Sequence, residues 1–449
     1  MSNPRWQALG CCYLVAILAG CGGSNTGGRQ VSSTQPPPAQ APTAYVYVLG
    51  STPLTSSAES PTGTVFQYAI GPDNALQPLS VPTISAGASP GQIITDPSGL
   101  YVYVLGYGVE TIPETVQPIT ISQFRVGATG QLVPMTPAEL QIPLGYPAQV
   151  WLSADPQGQF LYAAVSPDYS SIFLEGDPTP PPPSIVQLAI GADGTLSVDV
   201  GEVTTVVYPY GPLVIDSTGS HAYVPGTTGG FSAIGQFAIR ADGLLSPLQP
   251  AYVAIPGQID EAFPGLTGAA VALSSNGQWA YVASSPCATS PCNPQQQLWQ
   301  YTVNSDGTLG VAATPVVSFA ALSIGAPIFA ADGLSAYVLA TGGTSPISGS
   351  NQTGEILQYA LNSSGAFAPD SPPSIDLGAN DSVSAVLRGN DFFVLIDNPI
   401  TTCTFAQCSS TGAVVTHDVI QASGQLEATN TSAVAQGFTV LGMVVAPAN

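Results

Sequence analysis

The sequence predicts an all-β fold: a seven-bladed β-propeller of four-stranded antiparallel blades, closed by the C-terminal strand joining the N-terminal blade. Three observations predict it. A two-part unit recurs seven times at nearly constant spacing. Alternating apolar residues and Gly/Asp/Asn turns fill each unit with short strands, and no stretch carries a helical period. The chain also opens on the second strand of a unit and closes on a lone apolar strand.

The first part of the unit is a turn and a strand ending in Tyr-Val or its like. Its copies are DPSGLYVYV (96–104), DPQGQFLYAA (155–164), DSTGSHAYV (216–224), SSNGQWAYV (274–282), ADGLSAYV (331–338) and RGNDFFVLI (388–396); AYVYVLG (44–50) is a first copy without its turn. The second part is a strand with a recurrent Gln, a Gly turn and a Leu. Its copies are VFQYAIGPDNAL (65–76), ISQFRVGATGQL (121–132), IVQLAIGADGTL (185–196), IGQFAIRADGLL (234–245), LWQYTVNSDGTL (298–309), ILQYALNSSGAF (356–367) and VTHDVIQASGQL (415–426). The landmarks Tyr47, Tyr103, Tyr162, Tyr223, Tyr281, Tyr337 and Phe393 are separated by 56, 59, 61, 58, 56 and 56 residues.

Each unit yields four strands: one before the first turn, the Tyr-Val strand, the Gln strand and one after the second turn. Four strands at this period describe a propeller blade. The segment Phe438 to Ala446 is expected to supply the innermost strand that the first blade lacks, which removes an exposed sheet edge. Asp73, Asp96, Asp155, Asp193, Asp216, Asp242, Asp306 and Asp332 are expected to cap their own turns by accepting backbone N–H bonds.

Charge narrows the function. Only 7% of residues are charged, there is no Lys, and the cations are Arg5, Arg29, Arg125, Arg240 and Arg388, for a net charge of −22. Nothing here replaces the counterions of a polyanion, so nucleic-acid binding is excluded. Phosphorylated substrates, which need Arg, Lys or a metal, are disfavoured.

The domain organisation follows from composition. Residues 1–20 carry one cation, Arg5, and an apolar run from Leu9 to Ala19, which reads as a secretory signal peptide. Leu18-Ala19-Gly20-Cys21 resembles the lipobox of bacterial lipoproteins, in which the cysteine left by cleavage receives the lipid; Cys21 is the expected lipidation site. Residues 21–43 are rich in Gly, Ser, Gln and Pro and read as a flexible linker, and 44–449 as the propeller. The expected place is the bacterial cell envelope, on the outer membrane or periplasmic side, with the lipid as the only membrane contact. Cys287/Cys292 and Cys403/Cys408 form two close pairs without a companion His, and read as local disulfides in an oxidising compartment.

The unit resembles the lactonase-type seven-bladed propellers, which include 6-phosphogluconolactonase, and the nearby Tyr-Val-Thr-Asn surface-layer repeats. The resemblance covers about residues 44–446. It implies the fold and, more loosely, lactone hydrolysis with His, Arg and Glu around the channel mouth. The chain departs from that pattern. Where a His-Pro-His-like stretch is expected it has Ser89-Pro90-Gly91-Gln92 and Tyr146-Pro147-Ala148-Gln149, and the repeat asparagine is missing from Tyr103-Val104-Leu105-Gly106 and Tyr223-Val224-Pro225-Gly226.

Both histidines fall in framework positions. His221 stands where sister repeats have Tyr101, Phe160 and Trp279, and His417 where they have Gln. His417 and Asp418 are strand neighbours and point to opposite faces. Arg125 is expected in a buried ion pair between blades.

Variation is concentrated in the connections 51–63, 107–118, 166–183, 284–297, 340–354 and 397–412, which share one face with the blade-to-blade links. Variable loops on a rigid scaffold are where binding sits. The candidate ligand-binding residues on that face are Gln92, Tyr146, Gln149, Tyr208, Tyr210, Asp260, Glu261 and Asp381. No cofactor is expected; Ca²⁺ is the metal these acids would suit, without an EF-hand spacing to support it. The leading expectation is a monomeric lipid-anchored propeller that binds a protein, peptide or neutral carbohydrate without efficient catalysis. The alternatives are a lactonase-family hydrolase of an uncharged lactone and a structural envelope protein.

Overall fold

The computed structural model describes residues 41–448, apart from 53–60, 108–109, 112–114, 117, 143, 145–147, 168–181, 230, 256–269, 285–295, 312–316, 320–322, 342–353, 378–380, 398–402, 405–406, 409–412 and 436–437. The signal peptide, Cys21 and most of the linker therefore lie outside the described residues, as do Cys287 and Cys292.

Seven antiparallel sheets form the ring. Blade 1 combines Thr439–Pro447 with Ala44–Ser51, Thr62–Ile70 and Leu76–Ala88, so the last strand is its innermost. Blades 2 and 3 run in sequence order outward, as Pro90–Thr95, Tyr101–Gly106, Ile119–Val126 and Leu132–Ile142, then Ala148–Ala154, Phe160–Pro167, Ser184–Ile190 and Leu196–Thr204. Blade 7 repeats that order with Asp381–Arg388, Asp391–Asp397, Ala413–Ile420 and Leu426–Val434. Closure is by register: Tyr45 opposes Ala446 and Val48 opposes Met443 in an antiparallel pair.

Blades 4 to 6 keep the plan with broken strands. The innermost position of blade 4 is split into Tyr208–Pro209 and Val214–Ile215, and that of blade 6 into Ser323–Ile324 and Ile328–Phe329. Pro212 and Pro327, which lie in these two breaks, have no N–H to give the ladder. The remaining strands are His221–Thr228, Phe231–Ile239 and Leu245–Ala254 in blade 4, and Ser335–Thr341, Glu355–Leu361 and Phe367–Asp376 in blade 6. Blade 5 has Ala270–Leu273, Trp279–Ser284 and Gln296–Val303, with an outer position divided between Leu309–Val311 and Val317–Phe319.

The core lies between blades. The Tyr-Val strands are almost wholly buried, with Tyr47, Tyr103, Tyr162, Tyr223, Tyr281 and Tyr337 at 0% exposure. Each of these phenols donates to a glycine carbonyl in the outer turn of the next blade: Tyr47 to Gly130 (2.6 Å), Tyr103 to Gly194 (2.7 Å), Tyr162 to Gly243 (2.7 Å), Tyr223 to Gly307 (2.7 Å), Tyr281 to Gly365 (2.6 Å) and Tyr337 to Gly424 (2.6 Å). Burial pushes these hydroxyls above the ordinary phenol range, Tyr337 to about 12, so all remain neutral donors. The acceptor turn needs glycine. At Gly194, φ is +81° and an added Cβ would fall on the ring of Tyr101.

The recurrent glutamines form a second set of ties. The Oε1 of Gln67, Gln123, Gln236 and Gln358 accepts the N–H of Leu132, Leu196, Leu309 and Leu426 in the next blade, at 2.6–2.7 Å. Their Nε2 groups donate to Val81, Pro137, Pro250 and Pro372 of the same blade's outer strand. The seam between blades 7 and 1 is built differently. Phe393 replaces the tyrosine, Asn74 replaces the glycine, and the Leu76 N–H donates to Ser432 Oγ at 3.0 Å.

Removing one phenol should leave a buried carbonyl without its donor. Tyr223→Phe is expected to lower stability by about 1–3 kcal/mol, read as a shift in the urea midpoint at unchanged m-value.

Candidate functional site

The innermost strands start on the face that carries the long connections, so their first residues form the channel mouth on that side. In blade 2 that start is Pro90-Gly91-Gln92. The Gln92 side chain accepts the Leu152 N–H (2.7 Å) and donates to the Leu152 carbonyl (3.1 Å). Both ends of its amide are engaged, so Gln92 ties the inner strands of blades 2 and 3 and offers little to a ligand. Beside it, Tyr107 donates its hydroxyl to the Val150 carbonyl at 3.0 Å. Burial raises this phenol, and the bond to Val150 partly opposes that shift.

Gly91 is what admits Tyr107, because an added Cβ would fall inside its ring. Tyr107 is not among the residues that the sequence alone singles out. The signal the sequence offers is Gly91, the glycine between Pro90 and Gln92 at the start of an inner strand.

Gln149 lies exposed in blade 3, at the start of Ala148–Ala154. Tyr208 and Tyr210, both half-buried, begin blade 4, and the Tyr210 hydroxyl shares a hydrogen bond with Thr227 Oγ1 at 3.1 Å. The structure thus brings Gln92, Gln149, Tyr208 and Tyr210 to the starts of three successive inner strands. Asp381 opens the inner strand of blade 7, its backbone paired with Asp397; its side chain lies outside the described residues. Tyr146, Asp260 and Glu261 also lie outside the described residues. Cys403 and Cys408 oppose each other in a small two-stranded ribbon, Cys403–Thr404 with Gln407–Cys408, which is a backbone placement only.

Cations are elsewhere. Arg240 pairs with Asp242 (2.6 Å) in an exposed outer turn, and Arg388 reaches the Thr43 carbonyl (3.4 Å). Arg125 is exposed and, among the described residues, makes no ion pair, contrary to the buried pairing its strand position suggested. It lies one residue from the end of Ile119–Val126, next to the exposed turn residues Ala128 and Thr129. His221 binds Asp216 at 2.9 Å beside a short turn, and His417 is held inside blade 7 by Asp391 (3.0 Å) and Thr429 (2.6 Å) while stacking on Phe393. Both histidines are framework. Among the described residues, no group of three or more His, Cys, Asp or Glu is placed to hold a metal.

The turn aspartates act as expected. Burial works against the charged form of Asp216, yet the Ser220 N–H, the His221 ring and the Thr218 hydroxyl together hold its carboxyl below the usual range. Asp193 and Asp306 are held down by the hydroxyls and N–H groups of Thr195 and Thr308.

No family model and no curated protein matches the sequence. Solved structures do. The chain is similar to the periplasmic gluconolactonase of Pseudomonas aeruginosa, with a TM-score of 0.58 and 16% identity over 90% of this chain and 100% of that one. A 6-phosphogluconolactonase-like protein of Bacteroides uniformis gives 0.55 and 13% over 90% and 99%, and a functionally unknown protein of Desulfotomaculum acetoxidans gives 0.54 and 12% over 91% and 100%. At these identities the likeness is one of fold: a lactonase-like seven-bladed propeller.

Two outcomes follow. Carboxylates whose folded-state pKa is lowered contribute stability above their unfolded value and lose it as pH falls. The urea midpoint should therefore drop on acidification from about pH 5 to pH 3, and less steeply in Asp216→Asn. Gly91→Ala should cost about 1–3 kcal/mol by overpacking against Tyr107, whereas added to Tyr107→Ala it should cost almost nothing, as a double-mutant cycle in urea would report.

Proposed function

We propose that this protein is an extracytoplasmic, lipid-anchored propeller that binds an uncharged ligand or a protein or peptide partner at its loop-rich mouth, without efficient catalysis. One observation carries the reading. The described mouth presents an amide and phenols at Gln149, Tyr208 and Tyr210, while Arg125, Arg240, Arg388 and His221 belong to the regions of the short turns and His417 to the interior of blade 7. Phenol rings and amides suit sugar hydroxyls and peptide groups. Acyl-transfer chemistry needs a base and a stabiliser for the developing oxyanion, and the described mouth offers no cation for the second role.

The extracytoplasmic location draws support from the periplasmic setting of the Pseudomonas neighbour, and the anchor from the lipobox-like Leu18-Ala19-Gly20-Cys21. In that compartment the facing backbones of Cys403 and Cys408 favour a local disulfide. The second reading is lactone hydrolysis, favoured by the likeness to a gluconolactonase; Asp381 at the head of an inner strand is the carboxylate it would start from.

One pair of assays separates them. Saturation-transfer NMR with neutral hexoses and disaccharides should show binding that is lost in a Gln149→Ala/Tyr208→Ala/Tyr210→Ala variant. Glucono-1,5-lactone hydrolysis should stay at the uncatalysed rate with or without Ca²⁺ or Mg²⁺. Turnover abolished by Asp381→Asn would establish the second reading and contradict the first.

A further inference from the structure

The repeat is broken at one buried position. The residue after the recurrent Gln faces the preceding blade and is large and uncharged in six blades: Tyr68, Phe124, Leu188, Phe237, Tyr301 and Tyr359, all 0–7% exposed. In blade 7 that position is Asp418, equally buried at 3%. Beside it lies a cleft of about 470 Å³ lined by residues of blades 6 and 7, within the range of small-molecule sites. Asp418 lines it together with Thr416 and Asn430, and Ile396 and Val414 supply an apolar wall.

The carboxylate is poorly supported by its own protein. Among the described residues it receives one hydrogen bond, a long one of 3.4 Å from Thr416 Oγ1. The chain has no Lys, and none of its described arginines lines the cleft. Burial raises the pKa of this carboxyl, opposed in part by His417 and Thr416, so the ionised form is held at a cost that an external cation would offset. Asp376 of the blade 6 outer strand adds a second negative charge to the lining.

We propose that this cleft binds a small aliphatic amine, with its ammonium group on Asp418 and its methylenes against Ile396 and Val414. The site is distinct from the loop-rich mouth, and a position that six blades fill for packing has in blade 7 been given to recognition. A departure from an otherwise uniform local rule is where function is to be sought in a repeat.

Isothermal titration with n-butylamine and 1,5-diaminopentane at neutral pH, with 1-butanol as the uncharged control, tests this. Saturable amine binding, at least tenfold tighter than the alcohol and lost in Asp418→Asn, is the expected result. Asp418→Asn should melt no lower than the parent protein, because it removes a poorly paired buried charge. Val414→Phe, which fills the cleft and keeps the carboxylate, should also abolish binding, and the Gln149→Ala/Tyr208→Ala/Tyr210→Ala variant should retain it. Absence of amine binding, equal binding of 1-butanol, or undiminished binding by Asp418→Asn would overturn the proposal.

Discussion

The structure rests on ties between neighbouring blades rather than on any one sheet. A buried phenol from the second strand of each of six blades reaches a glycine carbonyl in the next blade's outer turn. Four glutamines bridge to the next blade's outer strand as well, each also holding its own outer strand. These groups sit in a dry interface, where an unpaired partner costs more than the bond itself contributes. Turn, strand and neighbour are therefore specified together. A tyrosine is useful only if the following blade has its glycine, which explains why the two halves of the unit recur as a set.

Closure obeys the same requirement by other means. Where chain continuity cannot supply the inner strand of blade 1, Thr439–Pro447 does so by antiparallel pairing with Ala44–Ser51. Phe393 and Asn74 remove the phenol–carbonyl bond at this seam, and Ser432 serves the Leu76 N–H in place of a glutamine. Phe393 then packs among Val46, Val48, Val415 and Met443, so the seam is held by apolar contact and strand pairing.

Much of this was legible in the sequence because repetition reports geometry seven times. Blade number, strand order, turn aspartates and the closing strand could be read from recurring Tyr, Gln, Asp and Gly. Sites leave no such record. Gln92 has the composition of a ligand-binding residue and proves to be a backbone tie, because its partner Leu152 is 60 residues away and unknown to any local pattern. Arg125 suggested an ion pair, yet no acid repeats opposite it. Asp418 was readable only by aligning the position after each glutamine, where the odd member of a column of large side chains marks a cleft.

The blades form one closed, mutually dependent ring. Native-state hydrogen exchange across the chain tests it most directly. Backbone amides of Tyr45–Leu49 and Val440–Ala446 are expected to share the slow, global exchange of the buried strand around Tyr223. Much faster exchange confined to the first and last strands, with the other blades still protected, would contradict it.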